Sequence, residues 1–166
     1  GGGEGGFATR TPELDLGDAI RGGVTTLVGC LGTDGVARSL PALLAKAFAL
    51  EEEGLSTFIL TGSYGVPLVT LTGSAERDLL LIEKVVGVGE LAISDHRSSQ
   101  PTPAEIARIA AEARRGGILS GKAGVVNVHL GNGPSGLAPL RHLVEETELP
   151  RTQLLPTQLN RHPSLC

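Results

Sequence analysis

Apolar residues fall into five short runs: "VTTLVGCLG" from Val24, "STFILTG" from Ser56, "VGELAIS" from Val88, "GVVNVHLG" from Gly124 and "TQLLPTQ" from Thr152. They recur at intervals of about 30 residues and are rich in β-branched side chains, which predicts strands. The stretches between them have helical periodicity. Leu40, Leu43, Leu44, Ala47 and Leu50 share a face behind Ser39 as N-cap, with Gly54 as the stop. Ser74 starts a second helix, with Ala75, Leu79, Ile82 and Val86 facing inward. Thr102, Pro103 and Glu105 form a capping box with proline at the first helical position, and Gly116 and Gly117 are expected to stop that helix. A fourth helix carries Leu137, Leu140, Leu143 and Val144 and ends before Pro150. Strand and helix alternating in this way predict βαβ units and a parallel sheet.

Two architectures suit such units, a doubly wound sheet and a (β/α)8 barrel, and the polar residues decide between them. Each strand hands over to chemistry at its C-terminal end: Thr33 and Asp34, Ser63 and Tyr64, Ser94 to Arg97, His129, then Gln158, Asn160 and Arg161. A barrel gathers its ligand groups from successive strands in this manner, whereas a doubly wound sheet concentrates them at one switch point. A complete barrel needs roughly 250 residues. The expectation for 166 residues is a single domain, residues 1–166, forming a partial (β/α)8 barrel of about five βα units with first and last strands missing.

Composition narrows the function classes. A net charge of −4 without any Lys/Arg cluster argues against nucleic acid. No apolar run is long enough to span a bilayer, and the N-terminal stretch lacks the pattern of a signal peptide, so the expected address is cytoplasmic. Two cysteines, Cys30 and Cys166, offer neither a disulfide framework nor a CxxC metal site, and Cys30 reads as core filler. The glycine-rich stretches "GGGEGG", "LGTDG" and "GNGPSG" match neither a dinucleotide fingerprint nor a Walker loop.

Individual residues carry two readings each. Glu4, inside the first glycine run, is placed to hold an ammonium group. Tyr64, the only tyrosine, is either a packing residue or a phenol that polarises a carbonyl. Glu90 interrupts an apolar strand, where a carboxylate needs a cation or a metal, and His129 ends the neighbouring strand. Together they suggest a hydrolytic metal site, and separately each is a structural residue. Arg97 is suited to clamp a substrate carboxylate through two parallel hydrogen bonds, with His96 supporting the turn beside it.

Read in order, "GGGEGG", "TRTPE", "LGTDG", "LLAKAFALEEEG", "TGSYGVP", "TLTGS", "ISDHRSSQPT", "GGILSGKAGVV", "VHLGNG" and "LLPTQLNR" resemble the bacterial isoaspartyl (β-aspartyl) dipeptidases of the amidohydrolase superfamily. The resemblance covers nearly the whole chain. It implies a metal-dependent hydrolase with two Zn2+ ions in the complete site, acting on the β-aspartyl bond of dipeptides, cytoplasmic and homo-oligomeric. It also implies roles: Glu4 for the substrate's amino group, Thr33 as a neighbouring substrate contact, Tyr64 as the group that polarises the scissile carbonyl, and Arg97 and Arg161 for the substrate carboxylates. His129 would bind metal, and Glu90 would be the bridging carboxylate. The departures are as informative. The family's HxH strand and its last-strand aspartate are not found in these residues, Gln158 stands where the pattern "PTHxNR" has a metal-binding histidine, and Asn127 and Asn132 stand where relatives often have His and Asp. The chain therefore looks like an internal fragment, and the alternative expectation is a catalytically inactive remnant that keeps only its substrate-pocket residues.

Overall fold

The computed structural model describes residues 4–161, the side chain of Arg161 excepted; Cys166 lies outside the described residues. Five strands, β1 (Thr26–Gly29), β2 (Ser56–Thr61), β3 (Val85–Ile93), β4 (Val125–Leu130) and β5 (Leu154–Thr157), form one sheet. Every pairing is parallel, and the strand order is β1-β2-β3-β4-β5. A doubly wound sheet would reverse direction partway, so an order that follows the chain without reversal is that of an open segment of a (β/α)8 barrel.

Helices α1 (Leu16–Arg21), α2 (Leu40–Glu52), α3 (Ala75–Leu81), α4 (Pro103–Ser120) and α5 (Ala138–Glu146) alternate with the strands. The core lies between helices and sheet, where Ile59, Leu79, Val85, Val88, Leu91, Ile106, Val126, Val128 and Leu143 are fully or almost fully buried. Serine and threonine start three of the helices by the expected chemistry: Ser39, Ser74 and Thr102 accept from the backbone N–H groups of Ala42, Arg77 and Glu105. At Thr102 the Glu105 carboxylate returns the bond, completing the capping box.

Two boundaries and one short helix differ from the sequence reading. α3 ends at Leu81, and Val86, expected on its inner face, belongs to β3, which begins at Val85. The β-branched pair Val85–Val86 joins the sheet in place of a further helical turn. α4 runs through Gly116 and Gly117 to Ser120, and the stop is Gly121, in the left-handed conformation at φ 68°. The six-residue α1, capped by Asp15 and followed by Gly22, was not expected from the sequence, because its apolar positions Leu16, Ala19 and Ile20 span too short a stretch to stand out. Among the described residues no helix is long and apolar enough to cross a membrane.

Candidate active site

The C-terminal ends of β1 to β4 converge on one small cup. β2 delivers Tyr64, which is 7 % exposed, through a loop whose backbone is pinned on two sides: Tyr64 N–H donates to Gly32 O, and Tyr64 O accepts from Ala92 N–H. β4 delivers His129, buried and facing the phenol with ring centroids 4.8 Å apart and a 3.0 Å contact between Tyr64 Oη and His129 Nδ1. β3 contributes twice, through Glu90 within the strand and through Asp95 and Arg97 just past its end. The β1 turn brings Thr33, whose hydroxyl donates to Glu4 Oε1 at 3.3 Å from the N-terminal segment.

The hub is His129. Its Nδ1 lies 3.2 Å from Glu90 Oε1, and its Nε2 lies 3.3 Å from both Arg97 Nη2 and Asp95 Oδ2. A guanidinium can only donate and a carboxylate can only accept, so Nε2 meets one group of each kind, and Nδ1 likewise stands between the Tyr64 hydroxyl and the Glu90 carboxylate. Both ring nitrogens are thereby committed.

Arg97 uses most of its N–H donors on protein partners. Its Nε and Nη2 donate to the two oxygens of Asp95 at 2.8 and 2.6 Å, a bidentate pair, its Nη1 donates to Glu4, and the guanidinium lies 5.5 Å from the centroid of the Tyr64 ring. Asp95 is buried and also accepts from the Arg97 backbone N–H at 2.8 Å. The Arg97 hydrogen bonds hold the Asp95 carboxyl well below the usual carboxylate range, and Asp95 in turn raises the Arg97 pKa. Burial, and then the negative charge of Glu90, push the Tyr64 phenol upward. The same two causes raise the Cys30 thiol, which is not primed as a nucleophile.

The structure thus brings Glu4, Thr33, Tyr64, Glu90, Arg97 and His129 together. It does not place the Arg161 side chain, which lies outside the described residues, although the backbone of Arg161 closes the turn Leu159–Arg161 after β5. His96 is exposed, and the turn it was expected to support is held by its neighbour: Asp95 O accepts from Ser98 N–H and from Gln100 Nε2. Asp95 also joins the cup, through Arg97 and His129, although the sequence reading gave it no role of its own. The available signal was an acid two residues before an arginine at a strand end.

A pair of metal ions does not fit these residues. Among the described residues no group of three or more His, Cys, Asp or Glu side chains is arranged to hold a metal ion. A cation on Nε2 of His129 would have to displace the Arg97 guanidinium, and one on Nδ1 would have to displace the Tyr64 hydroxyl. Past β5 the chain offers Gln158, an amide in a left-handed backbone conformation at φ 66°, which is a poor zinc ligand.

No protein-family model matches the chain. Two solved structures match it closely. One is the β-aspartyl dipeptidase of the thermophilic keratin-degrading Fervidobacterium islandicum AW-1, 63 % identical with a TM-score of 0.97 over 99 % of this chain and 45 % of that one. The other is the β-aspartyl dipeptidase of the same organism in complex with the β-Asp-Leu dipeptide, at the same identity and TM-score, covering 99 % of this chain and 44 % of that one. The chain spans less than half the length of these relatives, and over that span the fold and the sequence identity make it a close structural homologue of a β-aspartyl dipeptidase of the amidohydrolase superfamily.

Proposed function

We propose that these 166 residues carry the substrate-gripping side of a β-aspartyl dipeptide site and, as they stand, do not hydrolyse the dipeptide. The observation that carries this reading is the position of Arg97: its guanidinium fills the space between Asp95, Glu4 and the Nε2 of His129 that a metal ion would need. The close homology, and the relative's complex with β-Asp-Leu, support the substrate class. In this reading Glu4, with Thr33 hydrogen-bonded to it, receives the substrate's ammonium group. Arg97 and Arg161 receive its carboxylates, and the Tyr64 hydroxyl faces the scissile carbonyl. The chain acts as one partial barrel domain, cytoplasmic, and the complete protein as a homo-oligomer.

The adjacency of Glu90 and His129 favours a second reading, zinc-dependent hydrolysis, in which the two serve as ligands once further donors surround them.

One experiment separates the two. The purified chain is dialysed, analysed for metal, titrated calorimetrically with β-Asp-Leu, and assayed for its hydrolysis with added zinc. Saturable dipeptide binding that is lost in Arg97→Lys, together with less than one zinc per chain and no turnover, is the expected result. Two tightly held zinc ions or clear turnover would establish the second reading, and absence of dipeptide binding would overturn the first.

A further inference from the structure

Tyr64 sits in a loop that leaves β2 at Thr61 and returns at Thr72, just before Ser74 caps α3. Both ends of that loop are held by one side chain outside the cup. Asp78, in the first turn of α3, is fully buried. Its Oδ2 accepts from Thr61 Oγ1 at 2.5 Å and from Leu71 N–H at 2.9 Å, and its Oδ1 accepts from the N–H and the hydroxyl of Thr72, both at 2.7 Å. Four donors converge on one carboxylate, so the cost of burying it is met by hydrogen bonds from the loop itself.

An acid at this depth is a specific choice. Helix capping does not require it, because Ser74 already caps α3 through Arg77 N–H. An apolar residue would fill the same volume but would leave the N–H groups of Leu71 and Thr72 without this acceptor. The donors it collects lie on the strand end and on the loop's return, the two points that fix where the loop's tip can stand. Between them the tip is held to Gly32, Ala92 and Ser99, each on a different neighbouring segment.

We propose that Asp78 is a positioning residue, which sets the Tyr64 phenol against His129 by clamping both ends of the β2–α3 loop. The proposal rests on the reading of Tyr64 as a ligand-facing group, but its geometry does not depend on whether the chain binds or cleaves a dipeptide.

The chain has one tyrosine and no tryptophan, so its intrinsic fluorescence reports Tyr64 alone. Asp78→Asn keeps the shape but turns an amide N–H toward donors. The folded variant is expected to show acrylamide quenching of Tyr64 raised about twofold or more, as opening of the loop becomes populated, with an altered near-ultraviolet tyrosine signal and an unchanged far-ultraviolet spectrum. Thr72→Val, which removes one hydroxyl donor and leaves α3 and Asp78 intact, should move quenching in the same direction by a smaller factor. It serves as the decisive variant if Asp78→Asn does not fold. A lowered melting temperature with Tyr64 quenching unchanged in the folded state, in either variant, would show that Asp78 only stabilises the fold and would overturn the proposal. Loss of dipeptide binding in the unmodified chain would overturn the proposed function and leave this measurement unaffected.

Discussion

Asp95 accepts three hydrogen bonds from Arg97 while its Oδ2 also faces His129 Nε2, so a single buried carboxylate orients the guanidinium and the imidazole together. Asp95→Asn keeps an acceptor but removes the charge, and is expected to destabilise the fold by about 2 to 3 kcal/mol, read from urea denaturation. The acid limb of stability follows from the same group. Its folded pKa is depressed, so its contribution is fully present above the unfolded value of about 4 and is lost as pH falls toward the folded value. Asp34 adds to this limb: the Ala37 backbone N–H and the Arg10 guanidinium hold it down to about 2. Melting temperature should therefore stay level from pH 7 to about 4 and decline below, and the decline should be shallower in Asp95→Asn. At this scale much of the cup was legible, because in a barrel the polar residue after each strand already points to the site. Tyr64, His129 and Arg97 were singled out that way, and Glu90 as a carboxylate inside an apolar strand. Asp95 was not, because an acid two residues from its partner reads as a local turn, and only the fold reveals that β4 brings His129 against it.

Between elements, α4 comes close to α3 and to the turn before β4. A Cβ on Gly116 would stand 2.8 Å from the Cβ of Leu79 and 3.0 Å from Glu76 O, and one on Gly117 would stand 2.7 Å from the Cα of Gly124. Gly116→Ala sets two effects against each other: alanine gains about 1 kcal/mol of helix propensity, and overpacking costs about 1 to 3 kcal/mol. The contacts are backbone and Cβ atoms that no rotamer change can move away, so the clash should win. A net loss of about 1 to 2 kcal/mol, seen as a lower urea midpoint at unchanged slope, is the expected outcome; a gain would mean that the helices separate freely. The same glycines show why the end of α4 was misread from sequence. A glycine pair inside an amphipathic pattern signals a stop when only the chain is in view, yet here it admits a neighbouring helix, and the true stop is Gly121. The strands and the three Ser/Thr caps were legible because they depend on local chemistry alone.

For the molecule as a whole, among the described residues β1 pairs only with β2 and β5 only with β4, so each end of the sheet there presents an unpaired parallel edge. Beside the β1 edge an apolar groove of about 320 Å³ opens between α2 and the Thr11–Leu14 segment, with Leu27, Leu43 and Ile59 in its wall. Val28 and Leu155, on the two edge strands, are both about half exposed. Unpaired edges of this kind template further strands. The purified 166-residue chain is expected to self-associate with rising concentration in light scattering, and a monodisperse monomer with a sharp, reversible thermal transition would show that its edges are adequately protected. The order β1-β2-β3-β4-β5 has one more consequence, for the moment of synthesis. Each strand's partners are the ones made immediately before and after it, so no segment emerging from the ribosome has to wait for a distant one. Pairing can follow translation strand by strand, with the newest edge and the outer edge of β1 open at any time.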